Sequence, residues 1–290
     1  MASSKEAISS NKEITMAYGT ITFFSNVLGR DVNVDYLLPD TRRRYRSWTA
    51  WNDKKLPVIW ILHGNGDSNN AWIRKSTIEL YARQSDVAVI MPDCQRECYT
   101  NSKRGFDFFT FVADELVTVM RNYFPLSTKR EDNYIIGNSM GGYGAMKCAL
   151  TYPERYSAVA SFSGALDYRE ALKGNDVIFG KNAPMIFGSL EEYEGSENDL
   201  YALLNKLKEK DCGEQLKVYQ CCGTEDFLYG VNQEFRHALS ETVGNYIYHE
   251  GPGGHDWFYW NPEIANVFQF FGLKEENEWN DSGMAKQKDK

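Results

Sequence analysis

A serine between two glycines is the strongest sign of chemistry in this sequence. Ser139 lies in Gly137-Asn138-Ser139-Met140-Gly141, a G-x-S-x-G motif between a short apolar stretch and a stretch rich in small residues. A sharp strand-to-helix turn forces its central residue into a strained backbone conformation and leaves no room for side chains two positions away. The motif therefore predicts a nucleophilic serine, although a closely packed strand–helix junction without chemistry would also need these glycines.

A serine hydroxyl becomes a nucleophile only when a base removes its proton, so a catalytic Ser139 requires a histidine. The sequence offers four: His63, His237, His249 and His255. His63 precedes the serine, His237 belongs to a helical pattern, and His249 ends an apolar stretch. His255 follows glycines in a loop after the last predicted strand, where catalytic groups often gather. We predict His255 as the base.

The base needs a carboxylate to orient it, and the chain order serine, acid, histidine restricts the choice to residues between Ser139 and His255. Asp226 belongs to a turn that directly follows the predicted strand 216–221, where a carboxylate can be aimed at the histidine. We predict Asp226 as the acid. The neighbouring Glu225 is left open as the alternative.

Acyl transfer also requires backbone N–H groups that stabilise the developing oxyanion. One is predicted from Met140, the residue after the nucleophile. The other is predicted from Asn65, with Gly64 as the second choice, because small residues after the strand ending at His63 let the backbone approach a substrate.

Three residues near these motifs are predicted to line the substrate pocket: Tyr99, Asn101 and Trp257. For the two aromatic side chains, plain core packing is the alternative. The mechanism needs no cofactor. The six cysteines are predicted to be thiols, since their spacing lacks the partners of a tetrahedral zinc site, and no metal is expected.

The elements that must position these residues follow an alternating pattern. An opening hairpin is predicted over 18–38, and a polar surface excursion over 42–55. Short apolar stretches, predicted as strands, then alternate with helical patterns, and this alternation predicts an α/β fold with a mostly parallel central sheet and helices on both faces. The predicted strands are 56–62, 86–91, 133–136, 158–162, 216–221 and 246–249. The predicted helices are 71–84, 107–123, 140–150, 199–210 and 231–242.

No linker or repeat divides the chain, so one catalytic domain is predicted over 16–273, with a polar segment over 1–15 and a polar tail over 274–290. Between Gly164 and Glu214 the strand rhythm stops in a Gly-, Asn- and acid-rich insertion with one helix. This insertion between the later strands is predicted to decide specificity, either as a lid or as a decorated crossover.

Composition excludes several classes of protein. The 290 residues are 42% hydrophobic and 25% charged, with a net charge of −8, so a large phosphate-binding surface and a nucleic-acid partner are not expected. No apolar stretch is long enough to cross a bilayer, so no membrane partner is expected. The Ser- and charge-rich start has no signal-peptide pattern, which predicts a cytoplasmic location. A homo-oligomer is left open.

Several stretches together resemble the α/β-hydrolase fold, and within it the tributyrin-esterase branch of the esterase D-like enzymes. The resemblance spans about Tyr18 to Gly272 and agrees with Ser139, Asp226 and His255 as nucleophile, acid and base. Asn138 departs mildly from the pattern. The resembling stretches are 24–30, 61–64, 98–101, 137–144, 222–229 and 251–257.

The resemblance implies a serine carboxylic-ester hydrolase that acts on short-chain acyl or aryl esters. Related carbohydrate esterases remove acetyl or feruloyl groups from plant polysaccharides, so a small-molecule or carbohydrate-linked ester is the expected substrate. Thioester hydrolysis of the S-formylglutathione hydrolase type and acyl transfer of the mycolyltransferase type are the alternatives, because the same triad performs them. A noncatalytic binding module on this scaffold is a third.

Overall fold

One eight-stranded sheet organises the chain. The structure, a computed structural model, describes residues 15–40, 55–175, 181–210 and 213–273. The sheet has the strand order β1-β2-β4-β3-β5-β6-β7-β8. Its strands are β1 Thr15–Ser25, β2 Arg30–Asp40, β3 Val58–Leu62, β4 Ala88–Pro92, β5 Asn133–Asn138, β6 Ala158–Phe162, β7 Lys217–Gly223 and β8 Asn245–Gly251.

The first two strands form the antiparallel edge of this sheet. β1 pairs with β2, and β2 pairs with β4, both antiparallel, whereas the remaining neighbours are parallel. The predicted opening hairpin is therefore present, with a turn over 26–29 in which Gly29 has a φ of 63°. The predicted excursion over 42–55 lies outside the described residues except Lys55, as do 1–14 and 274–290.

The sheet separates two hydrophobic cores, which explains why its central strands β3 and β4 are continuous apolar stretches. In β3, Val58 and Trp60 face the first core, whereas Ile59 and Ile61 face the second core on the opposite side of the sheet. Helices cover both faces, so the predicted α/β-hydrolase architecture is confirmed. Among the described residues, no helix has the length and apolarity needed to span a membrane.

Two of the predicted helices differ in the structure. The predicted helix over 71–84 is two helices, because Asn261 accepts hydrogen bonds from the Thr77 amide and hydroxyl at the break, at 2.8 and 2.9 Å. The predicted helix over 107–123 contains a π-helical turn, Phe111–Glu115. The helices are α1 Ala71–Lys75, α2 Ile78–Ser85, α3 Phe108–Thr110, α4 Leu116–Tyr123, α5 Met140–Thr151, α6 Arg169–Leu172, α7 Ala183–Phe187, α8 Leu190–Tyr193, α9 Leu200–Glu209, α10 Tyr229–Ser240 and α11 Trp257–Phe271.

The last helix, α11, is absent from the sequence prediction. It begins after Asp256, whose carboxylate accepts hydrogen bonds from the amides of Phe258 and Tyr259, and ends at Phe271, before Gly272 with a φ of 78°. Its aromatic residues and an internal proline, Pro262, obscure helical periodicity. The helix matters because it starts two residues after His255.

The insertion lies between β6 and β7, as predicted, but holds α6, α7 and α8 in addition to the one predicted helix, α9. A cluster of buried rings packs it against α5: Tyr143 on α5 meets Tyr168 at 5.0 Å and Phe187 at 6.1 Å. The Tyr143 hydroxyl also donates to the Asn198 carbonyl at 2.7 Å. The described residues of the insertion, 164–175, 181–210 and 213–214, thus contribute to the first core.

A buried lysine also ties the insertion to α5. The Lys147 ammonium donates to Asn198 Oδ1 at 2.5 Å and lies 4.2 Å above the Phe109 ring. Burial lowers the pKa of Lys147 from its ordinary value of 10.5 to about 8. The unfolded chain therefore binds more protons at this lysine than the folded chain does between these two pH values.

This difference predicts a pH-dependent stability. The penalty for burying a charged Lys147 is present at low pH and is relieved as pH rises from about 8 towards 10.5. Relative to Lys147→Met, the free energy of unfolding of the wild type should increase by about 2 kcal/mol from about pH 7.5 to about pH 10. Urea unfolding of both proteins across this range measures it. If the difference in the free energy of unfolding between the two proteins stayed constant with pH, the lowered pKa of Lys147 would be contradicted.

Candidate active site

Ser139 occupies a sharp turn between β5 and α5. Its φ of 56° and ψ of −121° lie in a region that non-glycine residues rarely adopt, and its amide donates to the Phe162 carbonyl at 2.8 Å. A side chain at Gly137 would overlap the Gly141 carbonyl, and one at Gly141 would overlap the Leu62 carbonyl. Both glycines are therefore needed to hold the serine in this turn.

His255 bridges the serine and a carboxylate. Its Nε2 lies 2.8 Å from Ser139 Oγ, and its Nδ1 lies 3.0 and 2.9 Å from the two carboxylate oxygens of Asp226. With the proton on Nδ1, the ring donates to Asp226 and accepts from the serine hydroxyl. This arrangement can take the serine proton while the carboxylate fixes the ring and stabilises its charged form.

Asp226 rather than Glu225 faces the histidine. The Asp226 side chain is buried in the turn after β7 and accepts a hydrogen bond from the Leu228 amide at 2.8 Å. Glu225 is exposed, and its amide donates to the Gly253 carbonyl at 3.0 Å. A side chain at Gly223 would overlap this same carbonyl, so the absence of one lets the acid and base loops pack together.

Two aromatic rings contact the His255 imidazole. Trp260 is buried, meets it edge-on at 4.9 Å, and donates from Nε1 to Ser163 Oγ at 2.9 Å. Phe227 packs on the imidazole at 4.4 Å, and 57% of its surface is exposed. The sequence prediction included neither contact. Trp260 belongs to α11, the helix that was not predicted.

The loop after β3 lies directly against the serine turn. A Cβ added at Gly64 would lie 3.4 Å from Ser139 Cβ and 2.8 Å from Asn138 Nδ2. Asn65 is the next residue of this loop, which thus passes beside Ser139. Met140 is the first residue of α5, so its amide has no acceptor within the helix. These positions suit the predicted oxyanion donors, and the close approach also explains a requirement for glycine at 64.

His63 holds this loop in place. It is buried, and its Nε2 accepts a hydrogen bond from the Cys94 amide at 3.0 Å. The proton therefore lies on Nδ1, which donates to the Gly64 carbonyl at 2.8 Å. The Tyr99 hydroxyl donates to the His63 carbonyl at 2.8 Å. The sequence prediction gave His63 no role, since such contacts leave no spacing pattern.

The three residues predicted to line the pocket lie in different surroundings. Tyr99 is fully buried beneath Gly144, so its placement in a pocket wall is corrected to a core residue that supports the His63 loop. Asn101 Oδ1 accepts from the Thr110 amide at 3.0 Å and its Nδ2 donates to Thr110 Oγ1 at 2.9 Å. Trp257 is half-buried and packs against other tryptophan rings at 5.0 and 5.3 Å.

A small pocket lies between Asn65, in the loop after β3, and residues of the insertion. At its mouth, Arg96 donates from Nε to Asn65 Oδ1 at 2.9 Å. The pocket is also lined by side chains of the insertion, none of which the sequence prediction singled out. Six of the residues that line this pocket are Asn65, Arg96, Cys98, Tyr168, Ile186 and Phe187.

The cysteines in the described part of the chain are free and buried. Burial raises the pKa of the Cys98 thiol to about 12, so this cysteine at the pocket is protonated at neutral pH. Over the described ranges, no three His, Cys, Asp or Glu side chains form a group that could hold a metal ion.

The chain is similar in sequence to known esterases. A family model described as "Putative esterase" matches residues 25–271. The chain is also 30% identical over 266 residues to an acetyl esterase of Caldicellulosiruptor saccharolyticus, and the alignment covers 88% of this chain and 98% of the relative.

Two solved structures from Staphylococcus aureus have similar folds. The fluorophosphonate-binding serine hydrolase F (FphF), solved with substrate bound, superposes with a TM-score of 0.80 at 31% identity and covers 90% of this chain and 99% of its own. The S-formylglutathione hydrolase FrmB, solved as apoenzyme, has a TM-score of 0.78 at 31% identity and covers 90% of this chain and all of its own (100%).

Proposed function

The chain belongs to the "Putative esterase" family and is a serine carboxylic-ester hydrolase, and we propose that it removes short acyl groups, above all acetyl, from esters. The proposed catalytic residues are Ser139, Asp226 and His255. The observation that carries the residue assignment is the continuous hydrogen-bonded chain from the Ser139 hydroxyl through the His255 ring to the Asp226 carboxylate.

In the proposed acylation step, Ser139 Oγ attacks the ester carbonyl carbon while His255 Nε2 takes the hydroxyl proton. Asp226 holds the ring and stabilises its positive charge. The amides of Asn65 and Met140 donate to the oxyanion of the tetrahedral intermediate. His255 then gives its proton to the leaving oxygen, the alcohol departs, and the acyl group remains on the serine.

Deacylation repeats these steps with water. His255 takes a proton from the water molecule as it attacks the acyl carbon, and the same amides stabilise the second oxyanion. The bond to Ser139 Oγ breaks, and His255 returns the proton to the serine. Every proton in the cycle is carried by the chain's own residues or by water.

The pocket beside Asn65 supports a short acyl group. Tyr168, Ile186 and Phe187 in its wall are buried members of the first core, and Phe187 packs on Tyr168 at 4.5 Å. These packed side chains leave little room in the pocket beside Asn65 for a long acyl chain. The acetyl esterase relative points to the same class of substrate.

A series of p-nitrophenyl esters tests the acyl length. We expect kcat/KM to fall by about tenfold or more from the acetyl to the octanoyl ester, because a packed wall rejects added methylenes. Ile186→Ala should raise the relative rate of the octanoyl ester, whereas Met185→Ala, a more exposed neighbour on α7, should not. A wild type that prefers octanoyl over acetyl would contradict the proposed acyl length.

Thioester hydrolysis is the second candidate, supported by the 31% identity to an S-formylglutathione hydrolase over 90% of this chain. The same triad could release a thiol. Adding S-formylglutathione and a feruloyl ester to the series separates the substrate classes. A kcat/KM higher for the formyl thioester than for every oxygen ester would favour the second candidate.

A further inference from the structure

Phe227 is an exposed aromatic residue in direct contact with the proposed base. Its ring centroid lies 4.4 Å from that of His255, yet 57% of its surface remains open to solvent. The contact with His255 covers only part of the ring, and the rest is an apolar surface beside the reacting groups. Neither the fold nor the mechanism described so far uses that surface.

The turn that presents Phe227 is fixed on both sides. The Asp226 amide donates to the Gly223 carbonyl at 3.2 Å, and the Tyr229 amide donates to the Asp226 carbonyl at 2.9 Å. The Asp226 carboxylate also accepts from the Leu228 amide at 2.8 Å. Since these bonds enclose position 227, the backbone of Phe227 is held in place relative to the triad.

The chemistry of the proposed mechanism decides what lies near this ring. His255 Nε2 must reach the leaving oxygen to protonate it, so the alcohol portion of the ester lies beside the imidazole. Trp260, the other ring on the imidazole, is buried and bonded to Ser163. Phe227 therefore offers the open aromatic surface next to the departing alcohol.

We propose that Phe227 is a specificity-determining residue that binds the leaving group, and that it favours esters whose alcohol portion carries an aromatic ring. This inference rests on the proposed function, since it places the alcohol at the base. Offset or edge-to-face packing between the Phe227 ring and an aromatic alcohol supplies the selectivity. The acyl pocket at Asn65 and the leaving-group surface at Phe227 then select the two halves of the substrate separately.

The same surface should also bind an alcohol that replaces water in deacylation. The alcohol oxygen forms a bond to the acyl carbon of acyl-Ser139, its proton passes to His255 Nε2, and the carbon–oxygen bond to Ser139 breaks as the serine takes that proton. The product is a new ester, and no other reagent is consumed. An aromatic alcohol such as benzyl alcohol should therefore compete with water better than a non-aromatic alcohol does.

Two acetyl esters test the proposal: phenyl acetate and hexafluoroisopropyl acetate, whose leaving groups have similar acidity but only one of which has a ring. In Phe227→Ala, we expect kcat/KM for phenyl acetate to fall by about fivefold and that for the fluoroalkyl ester to change by less than about twofold. Phe227→Tyr should retain the preference. Phe24→Ala, which removes a similarly exposed phenylalanine from β1, should change neither value.

The competition between an added alcohol and water for the acetyl-enzyme provides a second measurement. With benzyl alcohol present, the ratio of benzyl acetate to acetate should fall by about fivefold in Phe227→Ala, and the ratio measured with isobutanol should stay the same. The rate of labelling by an alkyl fluorophosphonate, whose leaving group is fluoride, should not change in this variant.

The outcomes separate the inference from the function on which it rests. If Phe227 only positions His255, the hydrolysis of both acetates and the fluorophosphonate reaction slow by the same factor in Phe227→Ala, and the inference is wrong. An unchanged ratio of the two acetates in Phe227→Ala also overturns it, while the esterase assignment stands. A wild type that hydrolyses neither acetate and takes no label would overturn the proposed function and this inference together.

Discussion

Replacing Ser139 with alanine is expected to abolish covalent labelling by a fluorophosphonate and to lower kcat by about 10⁵-fold or more. The serine stands in a strained turn with its hydroxyl 2.8 Å from His255 Nε2, and in the proposed mechanism it is the nucleophile. Intact-mass measurement of the wild type should show one adduct, and peptide mapping should place it on Ser139.

Ser163 provides the matched control for this experiment. It is also buried and has a positive φ of 47°, but its hydroxyl accepts a hydrogen bond from Trp260 instead of contacting the imidazole nitrogen. Ser163→Ala should therefore still take the label. An adduct that persists in Ser139→Ala would refute the nucleophile assignment.

Asp226→Asn is expected to lower kcat by about 10⁴-fold while leaving the fold intact. The asparagine side chain can present an amide donor to His255 Nδ1, which favours the tautomer with the proton on Nε2. That tautomer cannot accept the Ser139 proton, so the base is lost although the geometry is preserved. Steady-state kinetics with p-nitrophenyl acetate measure the effect, and circular dichroism checks the fold.

Glu225→Gln is the control at the adjacent position. Glu225 is exposed and holds the acid loop only through its backbone amide, which the substitution retains. We expect kcat to stay within about twofold of the wild type, as is usual for a surface substitution away from the reacting groups. If Glu225→Gln lost activity and Asp226→Asn did not, the assignment of the acid would be wrong.

The parallel sheet and the serine turn were predictable because their physical requirements leave local marks in the sequence. A strand covered on both faces must be apolar at nearly every position, as Val58–Leu62 is. The turn at Ser139 needs glycines at fixed positions because carbonyl groups of Leu62 and Gly141 occupy the space of their side chains. Such constraints act on few residues and can be read without knowing the whole fold.

Other parts of the fold depend on contacts between distant residues and leave no such mark. The short helices α6 to α8 span too few turns to show a period and are placed by burial of rings such as Phe187. Helix α11 is buried along much of its length, so its apolar residues do not follow one stripe. Lys147 resembles a surface lysine in sequence, and only the packed insertion makes it a core residue.

The candidate site likewise contains residues that the sequence predicts and residues whose placement depends on tertiary contacts. Motif, chain order and loop position predict Ser139, His255 and Asp226, and the structure brings these three side chains within hydrogen-bond distance. Tyr99 illustrates the limit: proximity in sequence to a candidate motif suggested a pocket wall, whereas the side chain points into the core and bonds the His63 carbonyl. Sequence position locates a residue near a site, but the direction of its side chain depends on the tertiary packing around it.

The two cores divided by the sheet give the enzyme two separate routes for evolutionary change. Helix α5, which follows Ser139, and the described insertion residues beside the Asn65 pocket pack in the first core. Helix α11, which follows His255, packs in the second. Substitutions around the insertion can therefore alter the first core, and in the proposed mechanism the accepted acyl group, while α11 stays packed in the second core. In the proposed mechanism, substrate choice and the packing of the helix after His255 can thus change separately.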